Sequence, residues 1–439
     1  MKQLLIPILL LALIQSPVRA EDAPSIPNDR LNNPEIAVYR RSPTELWIYD
    51  TRPETGVGAH QLDDETIKQI RTANIRLVRI TMYWGIIENT TTPGQYDPKA
   101  LTHWDDLIKR CDQAGIVPLI LVHSNPPGVN FAQREASYKR FAHFMADMVK
   151  RYPTVRFWEL WNEMDQAFTD LFGAKEPAIS LRERGKLYAQ MLKLAYPAIK
   201  AANPKAWVLT GGMTDWNEFP RGIYEGGGRD YFDFMNLHTY GVPVLYGFVG
   251  RGLSLYSVMR DFHDEARPIW NTEFGIDAGN VVNAWGLPHT RKSAKEDGSD
   301  FDAVHLKTWR DCIEDNAKRH LYVKTLGYQF KAGNETAKEK MKEAKLPTGQ
   351  TPDDYGLGLF RNDGQTPRPT YNWLKTDNPN AAIIKTPERT IDIEAYIPDG
   401  ATPIGHQFDY QWRKPWMIIK GVKVNSLEPT IIQLKPQAP

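Results

Sequence analysis

The sequence predicts a (β/α)8 barrel of the TIM type, followed by a small β-rich module. From about residue 45 short apolar runs alternate with longer amphipathic stretches, and eight such units fit a closed parallel barrel. After about residue 376 the composition changes to short β-branched runs separated by Pro, Gly and Asp, which is typical of strands and turns. A chain of 439 residues is long enough for both parts.

The eight candidate barrel strands are apolar runs bounded by turn residues. They lie at 46–50, 75–84, 116–125, 155–163, 207–214, 234–240, 268–275 and 321–330. Between them apolar residues recur at helical spacing, as in 134–152 and 181–202. An open doubly wound sheet is the alternative, but no glycine-rich phosphate loop follows the first strand.

The predicted division of the chain is a signal peptide over 1–20, a barrel over 45–376, and an accessory module. The module combines 21–44 with 377–439 in a β-sandwich-like arrangement, and we expect it either to brace the barrel or to bind carbohydrate. The first 20 residues have a positive start at Lys2, an apolar run and a small-residue cleavage site. That run is too short to span a bilayer comfortably. We therefore expect an exported chain, periplasmic or secreted, with a retained anchor as the alternative.

Composition and charge exclude several classes of partner. The net charge is +1 and no basic stripe stands out, which argues against nucleic acid. The two cysteines, Cys111 and Cys312, are too few for a disulfide framework, and we expect two free, buried thiols. His and Cys do not cluster at metal-ligand spacing, so we expect neither a metal nor an organic cofactor.

Two long polar segments follow the seventh and eighth predicted strands. They lie at 283–302 and 333–350. Loops on the carboxyl side of barrel strands carry the active sites of such folds. The segments are therefore candidate substrate lids. For the second segment the alternative is a solvent-exposed loop that does not cover the site.

Two carboxylates end predicted strands that are far apart in sequence. Glu163 ends the fourth strand and Glu273 ends the seventh. The carboxyl ends of barrel strands converge around one mouth, so the two side chains are expected to share a site. Cleavage of a glycosidic bond needs such a pair, one to protonate the leaving oxygen and one to attack the anomeric carbon or activate water.

Glu159 competes with Glu163 for the catalytic role, since both lie on the same strand. Four residues of strand separate them by about 13 Å, which places Glu159 deep in the barrel. A buried carboxylate must be paired, and Arg79 on the second strand, or another basic residue on a strand, is the expected partner. Glu159 is therefore predicted to be structural and Glu163 to be catalytic.

The motifs "WELWNE" (158–163) and "WNTEFG" (270–275) resemble the paired signatures of the clan of retaining (β/α)8 glycoside hydrolases. The resemblance implies that Glu163 is the acid/base, Glu273 the nucleophile and Asn162 a ligand of the sugar 2-hydroxyl. His238 and Tyr240, in "HTY", match the place where the clan has a residue that orients the nucleophile. Arg79 matches more weakly an arginine found near that nucleophile.

Within the clan the chain looks most like glycoside hydrolase family 39, and especially like exported endoglycosidases that cleave biofilm exopolysaccharide. The resemblance covers roughly 45–375. His123 and Asn125, after the third strand, are candidates to line the sugar subsites. The eighth strand ends in "GYQF" instead of the Trp that many clan members use as a sugar platform, so Tyr328 or Trp285 is expected to take that place.

The function that follows from this resemblance is retaining endo-hydrolysis of β-linked extracellular polysaccharide by double displacement. An exo-acting glycosidase of the xylosidase or iduronidase kind is one alternative. A noncatalytic polysaccharide-binding component of an export machine is another, although a pure binder has no need of two catalytic carboxylates. The expected partners are a polysaccharide or oligosaccharide substrate and, loosely, an exopolysaccharide export complex, with a monomer as the expected state.

Overall fold

The computed structural model describes residues 35–129, 133–166, 179–240, 245–276, 301–331, 357–361, 364–404, 409–413 and 415–435. Its first ten strands are β1 (Ile36–Ser42), β2 (Glu45–Asp50), β3 (Glu54–Gly58), β4 (Leu77–Tyr83), β5 (Val117–His123), β6 (Phe157–Asn162), β7 (Trp207–Gly212), β8 (Met235–Tyr240), β9 (Ile269–Gly275) and β10 (Lys324–Gly327). The last five are β11 (Glu388–Tyr396), β12 (Thr402–Pro403), β13 (Asp409–Arg413), β14 (Trp416–Asn425) and β15 (Thr430–Lys435).

Strands β3 to β10 form one parallel sheet that curls into a barrel. Their order is β7-β6-β5-β4-β3-β10-β9-β8, and the parallel bridges Leu209–Phe234 and Met213–Leu237 join β7 to β8. The sheet is therefore closed, and the predicted (β/α)8 barrel is confirmed.

Helices follow the barrel strands, and all but the last two precede the final strand of the barrel. They are α1 (Asp64–Thr72), α2 (Trp84–Ile87), α3 (Pro98–Ala114), α4 (Arg134–Arg151), α5 (Leu181–Ala202), α6 (Glu218–Glu225), α7 (Arg251–Asp261), α8 (Phe301–Arg319), α9 (Pro369–Asp377) and α10 (Asn380–Lys385). Local sequence sets their ends. The Asp97 carboxylate accepts from two backbone N–H groups at the start of α3, and Gly115 ends that helix in the left-handed region, with φ 64°.

The prediction that 46–50 is the first barrel strand is wrong, and so is the predicted start of the barrel at residue 45. Strand β2 pairs antiparallel with β1 and β15, outside the barrel. The first barrel strand is β3, "ETGVG", which is too poor in large apolar residues to stand out in the sequence. Its small residues are required by close packing, because a Cβ on Gly56 would lie 2.5 Å from the Leu77 carbonyl oxygen.

The accessory module is a sandwich-like pair of antiparallel sheets with a core of its own. One sheet has the order β1-β2-β15-β12 and the other β11-β14-β13. Apolar residues from both sheets, such as Ile48 on β2 and Ile419 on β14, are fully buried in that core. The predicted β-rich module is therefore present, and it includes β1 and β2.

The module packs against the amino-terminal end of the barrel. Trp47 and Tyr49 of β2 form a cluster with aromatic residues at the starts of the barrel strands. The Trp47 ring lies 5.4 Å from that of Trp207, and the Tyr49 ring lies 5.7 Å from that of Phe234. The carboxyl ends of the strands, where the predicted catalytic residues lie, are left at the opposite end of the barrel.

Several predictions concern residues outside the described part of the chain. The signal peptide over 1–20, the segment 333–350 and most of 283–302 lie there. Cys111 and Cys312 are described, and both are free and buried as predicted. None of the helices in the described ranges is long and apolar enough to cross a bilayer.

Candidate active site

The two predicted catalytic carboxylates meet at the carboxyl end of the barrel. Glu273 lies near the end of β9, and Glu163 immediately follows β6. One carboxylate oxygen from each, together with a ring nitrogen of His238, all lie within 4.8 Å of one another. Residues 110 positions apart in sequence thus form one site.

Arg79, on β4, bridges the carboxylate at the mouth and the carboxylate beneath it. Its Nη1 donates to Glu273 Oε1 over 2.5 Å, while its Nε and Nη2 donate to the two oxygens of Glu159 over 2.6 and 3.0 Å. Burial opposes its charge, but Glu159 and Glu273 outweigh burial and raise the pKa of Arg79. The predicted ion pair between Arg79 and Glu159 is confirmed.

Glu273 is held in its ionised form. Burial alone would raise its pKa, but the neighbouring His238, Arg79 and the Tyr240 hydroxyl outweigh burial, and the pKa of Glu273 lies below its ordinary value. Tyr240 donates its hydroxyl hydrogen to Glu273 Oε2, and Arg79 donates to Oε1. Both oxygens are thereby oriented, and the carboxylate is ready to act as a nucleophile.

Glu163 is less enclosed than Glu273, since its side chain is 19% exposed and that of Glu273 is 10% exposed. The end of β6 is irregular, because Trp161 and Glu163 adopt positive φ angles of 75° and 42°. The Glu163 N–H donates to the Gly212 carbonyl oxygen over 2.9 Å, which fixes this irregular end against β7. Glu163 therefore faces the mouth, where a leaving group would lie.

His238 connects the carboxylates of Glu163 and Glu273 from below. Its Nδ1 lies 3.0 Å from Glu163 Oε1 and 3.6 Å from Glu273 Oε2. Burial opposes the charged imidazolium, but Glu273 and Glu163 outweigh burial and raise the pKa of His238. The ring fills its space closely, because a Cβ on Gly212 would lie 1.8 Å from Nε2.

Asn162 is fixed beside Glu163 by Arg79. Its Oδ1 accepts a hydrogen bond from Arg79 Nη2 over 2.8 Å. Because the oxygen is engaged, the amide nitrogen of Asn162 is the part left to donate toward a bound ligand.

Other predicted residues line the mouth without contacting both carboxylates. The Tyr328 ring lies 6.3 Å from that of Tyr240, and its hydroxyl lies 3.0 Å from His60 Nε2. The His123 ring packs 5.1 Å from that of Tyr83, and burial together with Arg79 lowers the pKa of His123 to about 4, so the ring is neutral at pH 7.

Two more predicted residues remain. Asn125 follows β5, and its Oδ1 is buried without a hydrogen-bond partner in the part of the chain that is described. Trp285, predicted as a sugar platform, lies outside the described residues. An aromatic that the sequence prediction did not include is Tyr83, which ends β4 and is 39% exposed.

Two buried residues of the site were also missed from the sequence. Asn236 Nδ2 donates to Glu159 over 3.0 Å and to Thr272 Oγ1 over 2.8 Å. Asn236 alternates with His238 and Tyr240 along β8, so strand periodicity offered a signal for it. Thr272 offered none, because the register of β9 shifts beside it and allows two consecutive residues to face the barrel interior.

Glu163, His238 and Glu273 form the one group among the described residues with the spacing of metal ligands. Their donor atoms are already engaged. His238 Nδ1 faces Glu163 Oε1, while Arg79 and Tyr240 occupy the two oxygens of Glu273. The charged guanidinium of Arg79 already balances the negative charge of Glu273, as a bound cation would. The three residues therefore fit a hydrogen-bonded network better than a metal site.

A closed parallel barrel with two carboxylates at its carboxyl mouth defines the class of protein as a glycoside hydrolase. The sequence model of the Cellulase family, glycosyl hydrolase family 5, matches residues 48–298, more than half of the chain, and that range includes both carboxylates. The chain belongs to this family. The clan of (β/α)8 glycosidases predicted from the two motifs is thereby confirmed.

Solved structures of glycoside hydrolases share the fold. A family 39 glycoside hydrolase from Bacteroides cellulosilyticus WH2 is 17% identical, with 89% of this chain and 87% of that chain covered and a TM-score of 0.53. A GH5_18 protein from Bifidobacterium longum subsp. longum ATCC 55813 is 15% identical, with 76% and 79% covered and a TM-score of 0.54. A glucosidase from Croceicoccus marinus is 13% identical, with 85% and 81% covered and a TM-score of 0.50. Curated protein sequences gave no match.

Proposed function

We propose that the chain is a retaining endo-glycosidase that hydrolyses β-linked extracellular polysaccharide by double displacement. The observation that carries the proposal is the close approach of the two carboxylates, since one oxygen of Glu163 lies within 4.8 Å of one oxygen of Glu273. Retaining enzymes hold the two carboxyl groups about 5–5.5 Å apart, whereas inverting enzymes leave about 6.5–9.5 Å for a water molecule. The spacing in this site favours direct attack by a carboxylate.

In the first step Glu273 attacks the anomeric carbon while Glu163 protonates the departing oxygen. The depressed pKa of Glu273 keeps its carboxylate unprotonated, and hydrogen bonds from Arg79 and Tyr240 hold it in position. The carbon–oxygen bond of the linkage breaks as the bond to a Glu273 oxygen forms, and a covalent glycosyl-enzyme results. The amide nitrogen of Asn162 donates to the sugar 2-hydroxyl during this step.

In the second step Glu163, now a carboxylate, removes a proton from water. The hydroxide equivalent attacks the anomeric carbon, the bond to Glu273 breaks, and Glu163 is protonated again. His238 contacts Glu163 on the side away from solvent, so it can stabilise both charge states of this carboxyl group.

The polymeric, extracellular nature of the substrate rests on sequence features. The export pattern over 1–20 supports action outside the cytoplasm, in the periplasm or after secretion. The substrate class, biofilm exopolysaccharide, comes from the motif resemblance to exported endoglycosidases, and a loose association with an export complex is part of the same proposal. The mouth adds aromatic surface for sugar rings, including Tyr83, which is 39% exposed.

The alternatives differ in measurable products. An exo-acting glycosidase releases mono- or disaccharides from chain ends, whereas endo cleavage yields a range of oligosaccharides at early times. A noncatalytic binder releases nothing, and it has no use for a buried, ionised carboxylate beside a second carboxyl group. We therefore rank it below both hydrolases.

The test is release of reducing ends from a panel of β-linked polysaccharides. Two solved structures with this fold are described as a glucosidase and as a GH5_18 protein in complex with Manb1-4GlcNAc, so glucose- and mannose-containing polymers belong in the panel. Glu163→Gln and Glu273→Gln are each expected to lower release at least about 1000-fold, since each removes one half of the pair.

The matched control is Glu135→Gln, which changes an exposed carboxylate whose side chain is 78% accessible on α4. It is expected to leave release unchanged. Release that persists in either catalytic variant, with the control also active, contradicts the proposed mechanism.

A further inference from the structure

A buried chain of hydrogen bonds runs from Glu159 to the catalytic Glu163. Thr272 Oγ1 lies 3.3 Å from Glu159 Oε1 and 3.1 Å from His238 Nε2. The other ring nitrogen, Nδ1, lies 3.0 Å from Glu163 Oε1. Glu159, Thr272 and His238 are each at most 1% exposed, so water does not compete for these bonds.

The direction of the hydrogen bonds in this chain follows from counting donors. Glu159 is paired with the guanidinium of Arg79, so it is a carboxylate and can only accept. The Thr272 hydroxyl has one hydrogen, which it donates to Glu159. The two hydrogens of Asn236 Nδ2 have three acceptors within reach, and the contact with Thr272 Oγ1 at 2.8 Å is shorter than those with Glu159 Oε1 at 3.0 Å and the Thr210 carbonyl oxygen at 3.2 Å. With its own hydrogen directed to Glu159, Thr272 Oγ1 keeps a lone pair that can accept from His238 Nε2 over 3.1 Å.

We propose that Glu159 and Thr272 hold a proton on Nε2 of His238, so that Nδ1 is the atom that shares a proton with Glu163. The neutral imidazole then presents a lone pair to Glu163 and accepts the proton that Glu163 carries as the general acid. In the Nδ1–H tautomer the ring would instead donate to Glu163 and favour its carboxylate form.

The charges around His238 bear on this arrangement from both sides of the ring. Nδ1 faces Glu163 at 3.0 Å and Glu273 at 3.6 Å, and Nε2 lies 4.0 Å from Glu159. Arg79 opposes a positive charge on the ring. In this arrangement Nε2 keeps its proton whether the ring is neutral or charged. The only proton that is gained or lost is then the one shared between Nδ1 and Glu163.

For catalysis, which rests on the proposed function, the His238–Glu163 pair binds one exchangeable proton. That proton passes from Glu163 to the departing oxygen in the first step, and the pair regains one proton from water in the second. Thr272 and Glu159 do not touch the substrate in this scheme. They are positioning residues that act through His238.

Nitrogen NMR of the full chain with 15N-labelled histidine rings tests the tautomer directly. The signals of His238 are assigned by their loss in His238→Gln. Between about pH 5 and 9 we expect Nε2 to remain protonated at every pH, with any change confined to Nδ1. Loss of the Nε2 proton at any pH in that range overturns the proposal.

The variant Thr272→Val removes the hydroxyl with little change of shape, and Thr272→Ser keeps it as the matched control. In Thr272→Val the neutral ring is expected to move its proton to Nδ1. The ring then donates to Glu163 and favours its carboxylate form, so the general acid loses its proton at a lower pH. The fall of kcat/KM on the alkaline side of the pH profile is therefore expected to move about one unit toward lower pH. Thr272→Ser keeps the hydroxyl, so the wild-type tautomer of His238 and the wild-type pH profile of kcat/KM are expected. The same tautomer in both variants contradicts the role given to Thr272.

The two proposals fail in different ways. The NMR measurement needs no substrate, so it reads the tautomer even if the chain cleaves no glycoside. Conversely, the activity losses of Glu163→Gln and Glu273→Gln stand whichever nitrogen of His238 carries the proton.

Discussion

Arg79 balances the charge of the site at the scale of single residues. It contacts Glu273 and Glu159 directly and also donates to Asn162. A guanidinium suits this place because its planar set of donors can serve three acceptors in fixed directions. Glu273, the proposed nucleophile, is therefore kept ionised in a buried position where an unpaired carboxylate would be protonated.

Tyr240→Phe is expected to shift the acid limb of the pH–rate profile upward. The Tyr240 hydroxyl helps to depress the pKa of Glu273, so its loss raises that pKa, and a higher pH is then needed to ionise the nucleophile. One lost hydrogen bond corresponds to a shift of about 0.5–1 unit. The measurement is kcat/KM against pH. Tyr328→Phe is the control, since its hydroxyl contacts His60, and a limb that shifts equally in both variants contradicts this role.

Glu159→Gln is expected to reduce the free energy of unfolding by about 3–5 kcal/mol, because it leaves part of the buried Arg79 charge without its partner. Urea denaturation measures the effect. Lys139→Gln breaks the exposed pair with Glu135 and is expected to leave the urea midpoint close to that of wild type, because water screens the pair. Equal midpoints for the two variants would show that the Arg79–Glu159 pair does not stabilise the fold.

The strands show which parts of the site the sequence could predict. Glu163 and Glu273 were predictable, since carboxylates that end apolar runs are conspicuous and barrel strands converge. Depth along β6 separated Glu159, which is fully buried and paired with Arg79, from Glu163 at the end of the strand. Thr272 was hidden because the register of β9 shifts beside it, and a local shift of this kind leaves no trace in an alternating pattern.

The first barrel strand was misplaced for a related reason. Apolar runs mark strands that are buried by large side chains, and β2 has such a run because it packs between the module core and the barrel end. Strand β3 contributes two glycines and only one large aliphatic residue, Val57. A strand that is buried through close backbone packing has no apolar run to detect.

Gly212→Ala is expected to lower activity at least about 10-fold. A Cβ at this position would lie 1.8 Å from His238 Nε2, so the ring must move and its contact with Glu163 is disturbed. Gly115→Ala is the control. It introduces strain at φ 64° on the end of α3, with nothing within 4 Å of the new Cβ. The control is expected to lose about 1 kcal/mol of stability and to keep its kcat, whereas an active Gly212→Ala contradicts the close fit of the ring.

At the scale of the whole molecule the two ends of the barrel have separate tasks. The amino-terminal end is covered by β1 and β2 of the module, and the carboxyl-terminal end holds the carboxylates. Polar contacts strengthen the covered end, among them Lys324 Nζ to the Ser426 carbonyl oxygen at 2.6 Å and Tyr39 to Asp264 at 2.8 Å. The module is thus placed to brace the barrel.

Trp47→Ala is expected to lower the free energy of unfolding by about 3–5 kcal/mol, because it empties the aromatic cluster between module and barrel. Below the unfolding transition kcat is expected to stay within about twofold of wild type, since the site lies at the other end of the barrel. Tyr410→Ala, at a side chain of the module that is 40% exposed, is the control and is expected to change stability little. A large loss of kcat in folded Trp47→Ala contradicts the separation of the two ends.

The anomeric configuration of the first-formed product distinguishes double displacement through Glu273 from single displacement by water. Proton NMR during hydrolysis of a cleaved β-linked oligosaccharide records the new reducing end before mutarotation mixes the anomers. Double displacement through Glu273 predicts that the β-anomer appears first and the α-anomer follows. An α-anomer that appears first would show single displacement by water and would contradict the retaining mechanism assigned to Glu163 and Glu273.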